Sequence, residues 1–574
     1  MAETEERAQP QYRLVQLFVL SCIALATAAM LNGLRAYVLE DVSLEFGLLA
    51  KTIGWAWGAY WLAFAMFVIF GSPMCDYVGM GRLMGIAGVF HIIGTAVCVS
   101  VSYLRGFTTP EVVFWAGMFC LGLAHGLVEA VINPLIATLY REQKTRMLNI
   151  LHAWWPGGLV IGTLLGFALG KFDVQWRIQL SIIFLPSVIY FILVLLTKFP
   201  PTERVEHGVP AKEMLREAFR PLYLAIWMCM FLTAATELGP GAWTEAMLTK
   251  TVGFSGILAL AYISMLMFVF RHFAGPLAQK FSPIGLMWLS SLLAGIGLFG
   301  LSLAKSPLPA IVATTFWGVG VCYMWPTMLG ITSERFPKGG ALLIGMTGFA
   351  GTLSTFFVLP AMGKIYDIYT QKFLPAGEQL QNLLKQIEAG GAAKEAAQAI
   401  LEPARTQAVP YAYQYVSAVA IFLLVVFGII WLWDRARGGY QAVDISKRAE
   451  EEPVELGPEA SFFDRMLCDG VHPGNGAHVL LYVLCIAGAP LATIIGSLLQ
   501  AILAGLGIEA AVLKPAMTVG IIVSPLALII GLLGLATCKT AQGKMWARSM
   551  AVGGVLWVIA WSVLMPLAVW ATGP

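Results

Sequence analysis

Apolar stretches of about 20 residues recur along the chain, and short polar segments separate them. Each stretch is long enough to cross a bilayer as an α-helix. Twelve predicted spans lie at approximately 14–38, 49–71, 82–104, 110–139, 150–170, 176–197, 219–248, 255–274, 284–304, 308–332, 339–363 and 411–433. Three more follow at about 477–505, 514–537 and 547–571. The pattern predicts an all-α polytopic membrane protein.

The polar segments divide this pattern into two halves of six helices and a C-terminal addition. The predicted parts are an N-terminal tail (1–13), a first half (14–197), a linker (198–218), a second half (219–433), a charged linker (434–476) and an accessory three-helix module (477–574). An insert at 365–410 interrupts the second half, and its leucine spacing predicts a pair of short amphipathic helices on the outer surface. The accessory helices hold no charge at depth, so we expect them to serve oligomerisation or stability.

Composition supports a membrane protein and excludes several other classes. Hydrophobic residues make up 58% of the 574 positions, against 45 to 50% in a typical soluble domain. The net charge is +3 and the basic residues are scattered, which gives no case for nucleic acid binding. No nucleotide-binding loop or catalytic triad is present, so we expect neither an enzyme nor a cofactor. A loop with Cys468, Asp469, His472 and His478 matches metal-ligand spacing only loosely, and we predict no metal site.

The positions of Lys and Arg in the short loops predict the orientation. Most of them fall in loops on the side of the N-terminus and of the 198–218 linker. We therefore expect the N-terminus to be cytoplasmic and the protein to lie in the cell inner membrane.

The loops after the second helix of each half indicate an internal repeat. The first reads GSPMCDYVGMGR and the second AGPLAQKFSPIG. In addition, GKFD at 170–173 is predicted to end the fifth helix and GKIYD at 363–367 the eleventh.

With these loops the chain resembles the major facilitator superfamily, whose signature is roughly G-x-L-A-D-R-x-G-R-R. Gly275 and Lys280 match it in the second half, and Asp76, Gly79 and Arg82 match it in the first. The resemblance implies that this loop latches helix ends together, so these residues are candidates for gating. The acid is replaced by glutamine in the second half.

The segment LVEAVINPLIA places an acid, Glu129, inside an apolar span. His125 stands one turn before it and Asn133 one turn after, so the three share a helix face. A charge at mid-membrane usually faces the bundle interior or a water-filled cavity, and a carboxylate in a dry pocket can exchange a proton near neutral pH. Glu129 is therefore our candidate for proton coupling. The alternative is an acid permanently paired with a basic neighbour.

Three motifs narrow the resemblance to the fucose permease group of the superfamily. EAVINP at 129–134, RMLNILH at 146–152 and YMWPTMLGI at 323–331 are similar to that group's E-T-A-A-N-P, R-L-N-L-A-Q and Y-P-T-I-F-S-L. In the group this glutamate is implicated in proton coupling. The group's prototype also carries an acid on the first helix, near Arg35 here, where this chain has none. Asn32, one turn earlier, remains able to bind a hydroxyl.

Other polar and aromatic residues of the spans are candidates for a solute cavity. In the seventh span, TELGPGAW is expected to break the helix at 239–241 and to form an outer gate. Tryptophan rings can stack on a sugar ring while Asn and Glu bind its hydroxyls. The predicted substrate-binding residues are Asn32, Asn133, His152, Glu237, Trp243, Trp325 and Thr327.

These features predict a secondary transporter that imports a small polar solute, a sugar or sugar derivative, by proton symport. The predicted partners are that solute, protons and the lipid bilayer, with self-association through the C-terminal helices. The open alternatives are a membrane receptor or assembly protein built on a transporter fold, and an efflux or antiport carrier. The sequence does not name the solute, nor does it distinguish sodium from protons.

Overall fold

A computed structural model describes residues 12–46, 50–104, 109–252, 256–389 and 391–445. The predicted accessory helices at 477–574 and the loop with Cys468 and His478 lie outside these residues. Within them, every regular element is a helix.

The first half and the linker contain nine helices among the described residues. They are α1 (Leu14–Phe46), α2 (Ala50–Met74), α3 (Met80–Val99), α4 (Pro110–Leu139), α5 (Lys144–Lys171), α6 (Trp176–Ser181), α7 (Phe184–Leu195), α8 (Glu203–Glu206) and α9 (Ala211–Ala218). A π-helical turn, Cys75–Gly79, joins α2 to α3. The short helices α8 and α9 form the linker, and we call the side of the bundle on which they pack the linker face.

The second half continues with eight helices in the described part of the chain. They are α10 (Pro221–Val252), α11 (Gly256–Arg271), α12 (Ala274–Leu303), α13 (Pro307–Cys322), α14 (Met324–Arg335), α15 (Gly340–Phe373), α16 (Leu380–Ala389) and α17 (Gly391–Ala436). Tyr323 separates α13 from α14, and the two helices together form the predicted tenth span.

Ten stretches of the described residues are long and apolar enough to cross a membrane. One of them, Ala56–Val99, contains the turn at Gly79 and covers two predicted spans. The eighth predicted span appears as the shorter apolar stretch Ala261–Arg271. Each of the twelve spans predicted for the two halves therefore corresponds to one helix or, for the sixth and the tenth, to two consecutive helices.

Each half has its own packed core, and a few helix pairs join the halves. In the first half α2 packs on α4 and α1 on α5, while in the second half α12 packs on α13 and α17 and α10 on α15. Across the halves, α5 contacts α11 and α14, and α2 contacts α15. The region between the halves is therefore bordered by α5, α11 and α14 on one side and by α2 and α15 on the other.

The two repeat loops turn at equivalent residues. Gly79, between α2 and α3, has φ +93°, and Ser282, at the same place in AGPLAQKFSPIG, has φ +66°. Ser282 lies inside α12 as a kink, so α12 holds both the end of the eighth span and the whole ninth span. A positive φ is uncommon outside glycine. The loops thus share a backbone turn although only one has the glycine.

Two predicted helix ends differ in the structure. The helix α15 continues past 363–367 to Phe373, and it ends before Pro375, whose preceding residue disfavours helical geometry. The predicted break at 239–241 is also wrong, since α10 runs unbroken through Pro240. Pro240 cannot donate to the Thr236 carbonyl one turn earlier. The Trp317 indole Nε1 donates to that oxygen at 3.0 Å instead, which satisfies it without a break.

The insert after α15 contains the first amphipathic helix of the predicted pair. This helix, α16, places Leu383 in a small core with Leu374 and Leu401. The second member of the pair is not separate, because α17 runs continuously from the insert into the predicted twelfth span.

Candidate functional site

The acid of the fourth span lies on a buried polar face of α4. His125, Glu129 and Asn133 are all buried, and Asn133 Nδ2 donates to Glu129 Oε2 at 2.7 Å. Glu129 stands ten residues before Leu139, where α4 ends, so it lies about 15 Å from that end. The acid is therefore well inside the span and not at its end.

His152 of α5 joins the same network. Its Nε2 lies 2.8 Å from Asn133 Oδ1 and 4.0 Å from Glu129 Oε2. Among the described residues, no Lys or Arg nitrogen lies within 4.0 Å of the Glu129 carboxylate. Within these residues Glu129 therefore does not form the permanent ion pair with lysine or arginine that was the alternative to proton coupling.

Asn32 reaches this network through a tyrosine. Asn32 Nδ2 donates to the Tyr60 hydroxyl at 3.0 Å, and that hydroxyl lies 2.8 Å from His125 Nδ1. The His125 ring stacks on Trp155 with centroids 5.0 Å apart, and its Nε2 is buried with no hydrogen-bond partner in the part of the chain that the structure describes. Four helices, α1, α2, α4 and α5, therefore contribute to one polar and aromatic cluster.

Arg271, the last residue of α11, is a functional candidate that the sequence analysis missed. Its side chain is 2% exposed. Nη1 donates to the His152 carbonyl oxygen at 2.6 Å, Nε donates to the Cys322 carbonyl oxygen at 2.6 Å, and Nη2 lies 3.5 Å from Glu237 Oε1. One arginine of the second half thus contacts the backbone of the first.

Two prolines explain why these carbonyls are available. In a helix the His152 carbonyl would accept from residue 156 and the Cys322 carbonyl from residue 326, and both of these residues are prolines without an N–H. A buried carbonyl without a donor is costly. Arg271 supplies a charged donor to each.

The depth of Arg271 explains why the sequence analysis missed it. It stands four residues before Gly275, close to the predicted end of the eighth span. In the structure a turn at 272–273 follows Arg271, and α12 then carries the chain on to the turn at Ser282. The repeat was the available signal, since Arg271 aligns with Val68 in the interior of α2.

The remaining predicted cavity residues lie in different environments. Glu237 borders Arg271, and its Oε2 is buried with no hydrogen-bond partner within the described ranges. Thr327 Oγ1 accepts from Asn149 Nδ2 of α5 at 3.1 Å, so it links the halves. The Trp325 ring packs against Gly351 of α15, where an added Cβ would approach it to 2.3 Å. The Trp243 side chain is outside the part that the structure describes.

The predicted gating acid of the first loop has its partners in the linker. Arg204 Nε donates to Asp76 Oδ2 at 2.8 Å, and the Thr202 hydroxyl donates to Asp76 Oδ1 at 2.5 Å. Arg82 is exposed, and its Nη1 donates to the Val78 carbonyl oxygen at 3.4 Å. The loop acid is thus held by the linker and not by the motif's own arginine.

In the second loop the motif residues have no equivalent ion pair within the described residues. Gly275 faces Arg146 of α5, whose side chain lies 2.8 Å from where a Cβ would stand. Lys280 is exposed, with Nζ 5.5 Å from the centroid of the Phe281 ring. In the same part of the chain, no group of three or more His, Cys, Asp or Glu could hold a metal ion.

Comparisons with known proteins agree with this architecture. The sequence profile of the Major Facilitator Superfamily matches residues 17–359. The cephamycin export protein of Amycolatopsis lactamdurans is 27% identical over 165 residues, which are 28% of this chain and 32% of that protein. The chain therefore spans about a third of the length of that curated relative.

Two solved symporters share the fold. A variant of the Escherichia coli fucose:proton symporter has a TM-score of 0.53 at 15% identity, covering 71% of this chain and 98% of its own. A proton:xylose symporter bound to 6-bromo-6-deoxy-D-glucose has a TM-score of 0.53 at 13% identity, covering 72% and 95%. The human organic anion transporter MFSD10 has a TM-score of 0.51 at 11% identity, covering 73% and 100%. Since the superfamily profile covers more than half of the residues, this chain is an integral membrane protein that belongs to the Major Facilitator Superfamily of transporters.

Proposed function

We propose that the protein imports a small polar solute, a sugar or sugar derivative, together with protons by alternating access. Glu129 is the proton-coupling residue in this proposal. The linker face is cytoplasmic and the membrane is the inner membrane, in keeping with the basic residues that the loops on this face carry.

The observation that carries the proposal is the charge of the buried centre. Glu129 is buried and the Glu237 side chain is only 11% exposed. One arginine, Arg271, lies near them, with Nη2 3.5 Å from Glu237 Oε1. One arginine offsets one carboxylate, and a second buried charge without a partner is strongly unfavourable. A proton on the surplus acid removes that cost, while opening the site to water allows the proton to leave. Alternating access would then load and release a proton at this position.

The surroundings suit a solute with hydroxyl groups. Aromatic rings of Tyr60 and Trp155 lie against His125, and Trp57 stacks on Tyr60. Such rings can cover the apolar face of a sugar ring. Several buried polar atoms lack a hydrogen-bond partner among the described residues, and a hydroxylated solute would supply one. These atoms include Trp57 Nε1, His125 Nε2, Glu237 Oε2 and Tyr323 Oη. The fold of two sugar:proton symporters supports the same class of solute.

The direction of transport has a competing assignment. The curated relative is named as an export protein, which favours a proton antiporter as the second candidate. A receptor that binds the solute without moving it is the third. The three differ in how protons move when solute is added.

The test measures external pH around proteoliposomes, with monosaccharides and uronic acids as solutes. The protein and its Glu129→Gln variant are compared, and Glu142→Gln serves as the control because Glu142 is exposed in the loop after α4. Symport predicts solute-dependent alkalinisation outside, which Glu142→Gln retains. Glu129→Gln should abolish it and keep solute exchange. Acidification outside would indicate antiport, and binding of solute without flux would indicate a receptor. Equal coupling in all three proteins would show that Glu129 does not couple protons to transport.

A further inference from the structure

We propose that Arg271 is a positioning residue of transport. It links the two acids, Glu129 and Glu237, to the contacts between the halves that keep the linker face closed. The inference rests on the proposed alternating access but not on the identity of the solute. It concerns a row of contacts between α5 and the α13–α14 helix, which we call the α5–α14 seam.

The seam has contacts at three levels. At the linker face, Thr145 Oγ1 donates to Glu334 Oε1 at 2.7 Å, and Lys144 Nζ donates to the Ser333 carbonyl oxygen at 3.2 Å. One turn deeper, Asn149 Nδ2 donates to Thr327 Oγ1 at 3.1 Å. These bonds join one helix of each half, so they must break if the linker face opens.

Arg271 forms the third and deepest level of the seam. It binds the His152 carbonyl of α5 and the Cys322 carbonyl of α13 at the same time. Because Pro156 and Pro326 leave both oxygens without helical donors, a single guanidinium bridges the two helices at the place where each needs a donor. A lysine ammonium lacks the planar fork that reaches two such acceptors.

His152 connects this bridge to the proton-coupling acid. Its side chain contacts Asn133 and lies 4.0 Å from Glu129, while its own carbonyl accepts from Arg271. On the other side of the guanidinium lies Glu237. A change of charge or of hydrogen bonding at Glu237 therefore affects Arg271 directly. The same change at Glu129 affects Arg271 through His152.

Close packing holds Arg271 against α5. The Phe268 ring, three residues before Arg271 on α11, lies 2.8 Å from where a Cβ of Gly157 would stand. The same ring meets Trp154 edge to face, with centroids 5.7 Å apart. The α5 backbone and α11 thus approach at the level of the bridge, which fixes the guanidinium relative to both helices.

The experiment measures opening of the linker face in the full-length protein. Ala137, 3% exposed, lines a small cavity between α4, the linker and α14–α15. The rate of maleimide alkylation of Ala137→Cys, above that of the parent with its native cysteines, reports access to this cavity. It is measured without solute and without a pH gradient, so it does not depend on the proposed coupling.

Arg271→Gln should raise this alkylation rate by at least about fivefold, because the open state gains population when a bond of the closed state is lost. The control Arg177→Gln removes an arginine that pairs with Glu45 away from the seam, and it should leave the rate unchanged. An unchanged rate in Arg271→Gln would overturn the proposal. An equal rise in both variants would also do so, since it would indicate general loosening.

A second set of variants tests whether Arg271 holds the two helices together or merely supplies hydrogen-bond donors to the two carbonyl oxygens. Pro156→Ala with Pro326→Ala restores both backbone N–H groups. Added to Arg271→Gln, these changes should restore thermal stability while the alkylation rate of the Ala137→Cys reporter stays high. Return of the rate to the parent value would show that Arg271 only fills two acceptors, and the proposal would fail. If Arg271→Gln does not fold, the alkylation rate is compared in Arg271→Lys and in the triple variant that combines Arg271→Gln with Pro156→Ala and Pro326→Ala.

Discussion

The Asn133 side chain donates to the Glu129 carboxylate at 2.7 Å from one turn away on the same helix. Its oxygen lies 2.8 Å from His152 Nε2 on α5. The amide therefore stands between the acid and the imidazole, and it fixes the distance between them at 4.0 Å. Both ends of one small side chain are used, so its loss affects two helices.

We predict that Asn133→Leu lowers both stability and coupled transport. Leucine has a similar size but leaves the carboxylate and the imidazole without their partner, which costs about 1–3 kcal/mol for each buried group left unsatisfied. Coupled uptake should fall by at least about tenfold, the equivalent of 1.4 kcal/mol. The measurements are the apparent unfolding temperature and proton flux in proteoliposomes. Asn382→Leu, on the exposed face of α16, is the control and should behave as the parent. Parent-like flux in Asn133→Leu would mean that Glu129 works without this amide.

The Asp76–Arg204 pair should show a large coupling energy. Both side chains are nearly inaccessible, at 0% and 7% exposed. Removing one partner of a buried pair leaves the other charge uncompensated and costs about 3–5 kcal/mol. Asp76→Asn and Arg204→Gln should each destabilise the protein strongly, while the double variant should cost less than the two single costs together. Unfolding of all four proteins in denaturant completes the cycle. Additive costs would show that the loop acid does not depend on the linker arginine.

The sequence predicted relations within one helix better than relations between helices. The spacing of His125, Glu129 and Asn133 follows from 3.6 residues per turn, and the structure places all three on one buried face. The contact of Asn133 with His152 depends on how α4 and α5 pack, which no spacing encodes. The segment 198–218, which contains Arg204, is predicted to be a linker because charge and proline are typical of linkers. The pairing of Arg204 with Asp76 requires the linker to fold back against the bundle.

The same distinction applies to the prolines. In the sequence they indicated interruption, and Pro240 beside two glycines predicted a broken helix. The donors that replace the missing N–H come from distant residues, Trp317 in one case and Arg271 in two others. Whether a proline breaks a buried helix therefore depends on tertiary neighbours that a single span does not reveal.

We predict that Trp317→Phe is more harmful with Pro240 present than without it. Phenylalanine cannot donate to the Thr236 carbonyl, and a buried acceptor left unsatisfied costs about 1–3 kcal/mol. Pro240→Ala restores the backbone donor, so the same tryptophan change in that background should lose about 1 kcal/mol less. Denaturant unfolding measures the difference. Trp433→Phe, at an exposed position of α17, should cost the same in both backgrounds. If Trp317→Phe costs the same with and without Pro240, the effect comes from packing of the indole ring and not from its hydrogen bond.

The two repeat loops provide a final prediction about backbone strain. Gly79 has φ +93° and ψ +140°, and Ser282 has φ +66° and ψ +161°. Gly79→Ala should destabilise the protein by about 1–3 kcal/mol, because a residue with a Cβ is strained in this region of positive φ. Ser282→Gly should stay within about 1 kcal/mol of the parent, since relief of a strain of about 1–3 kcal/mol is offset by two losses. Glycine gives up the bond from Gly285 N to Ser282 Oγ at 3.2 Å, and it adds freedom to the unfolded chain.

Ser282→Ala separates these contributions. Alanine keeps the strained backbone and removes the hydroxyl, so it should cost about 0.5–1.5 kcal/mol, the usual value of one hydrogen bond. The expected order of stability is therefore Ser282→Gly above Ser282→Ala, measured by denaturant unfolding of matched preparations. Because both variants lack the hydroxyl, the reverse order would mean that Ser282 holds its turn without appreciable strain. In that case the turn after the eighth span would be set by Pro283 and the packing of α12, and the shared backbone of the two loops would not require a glycine in either.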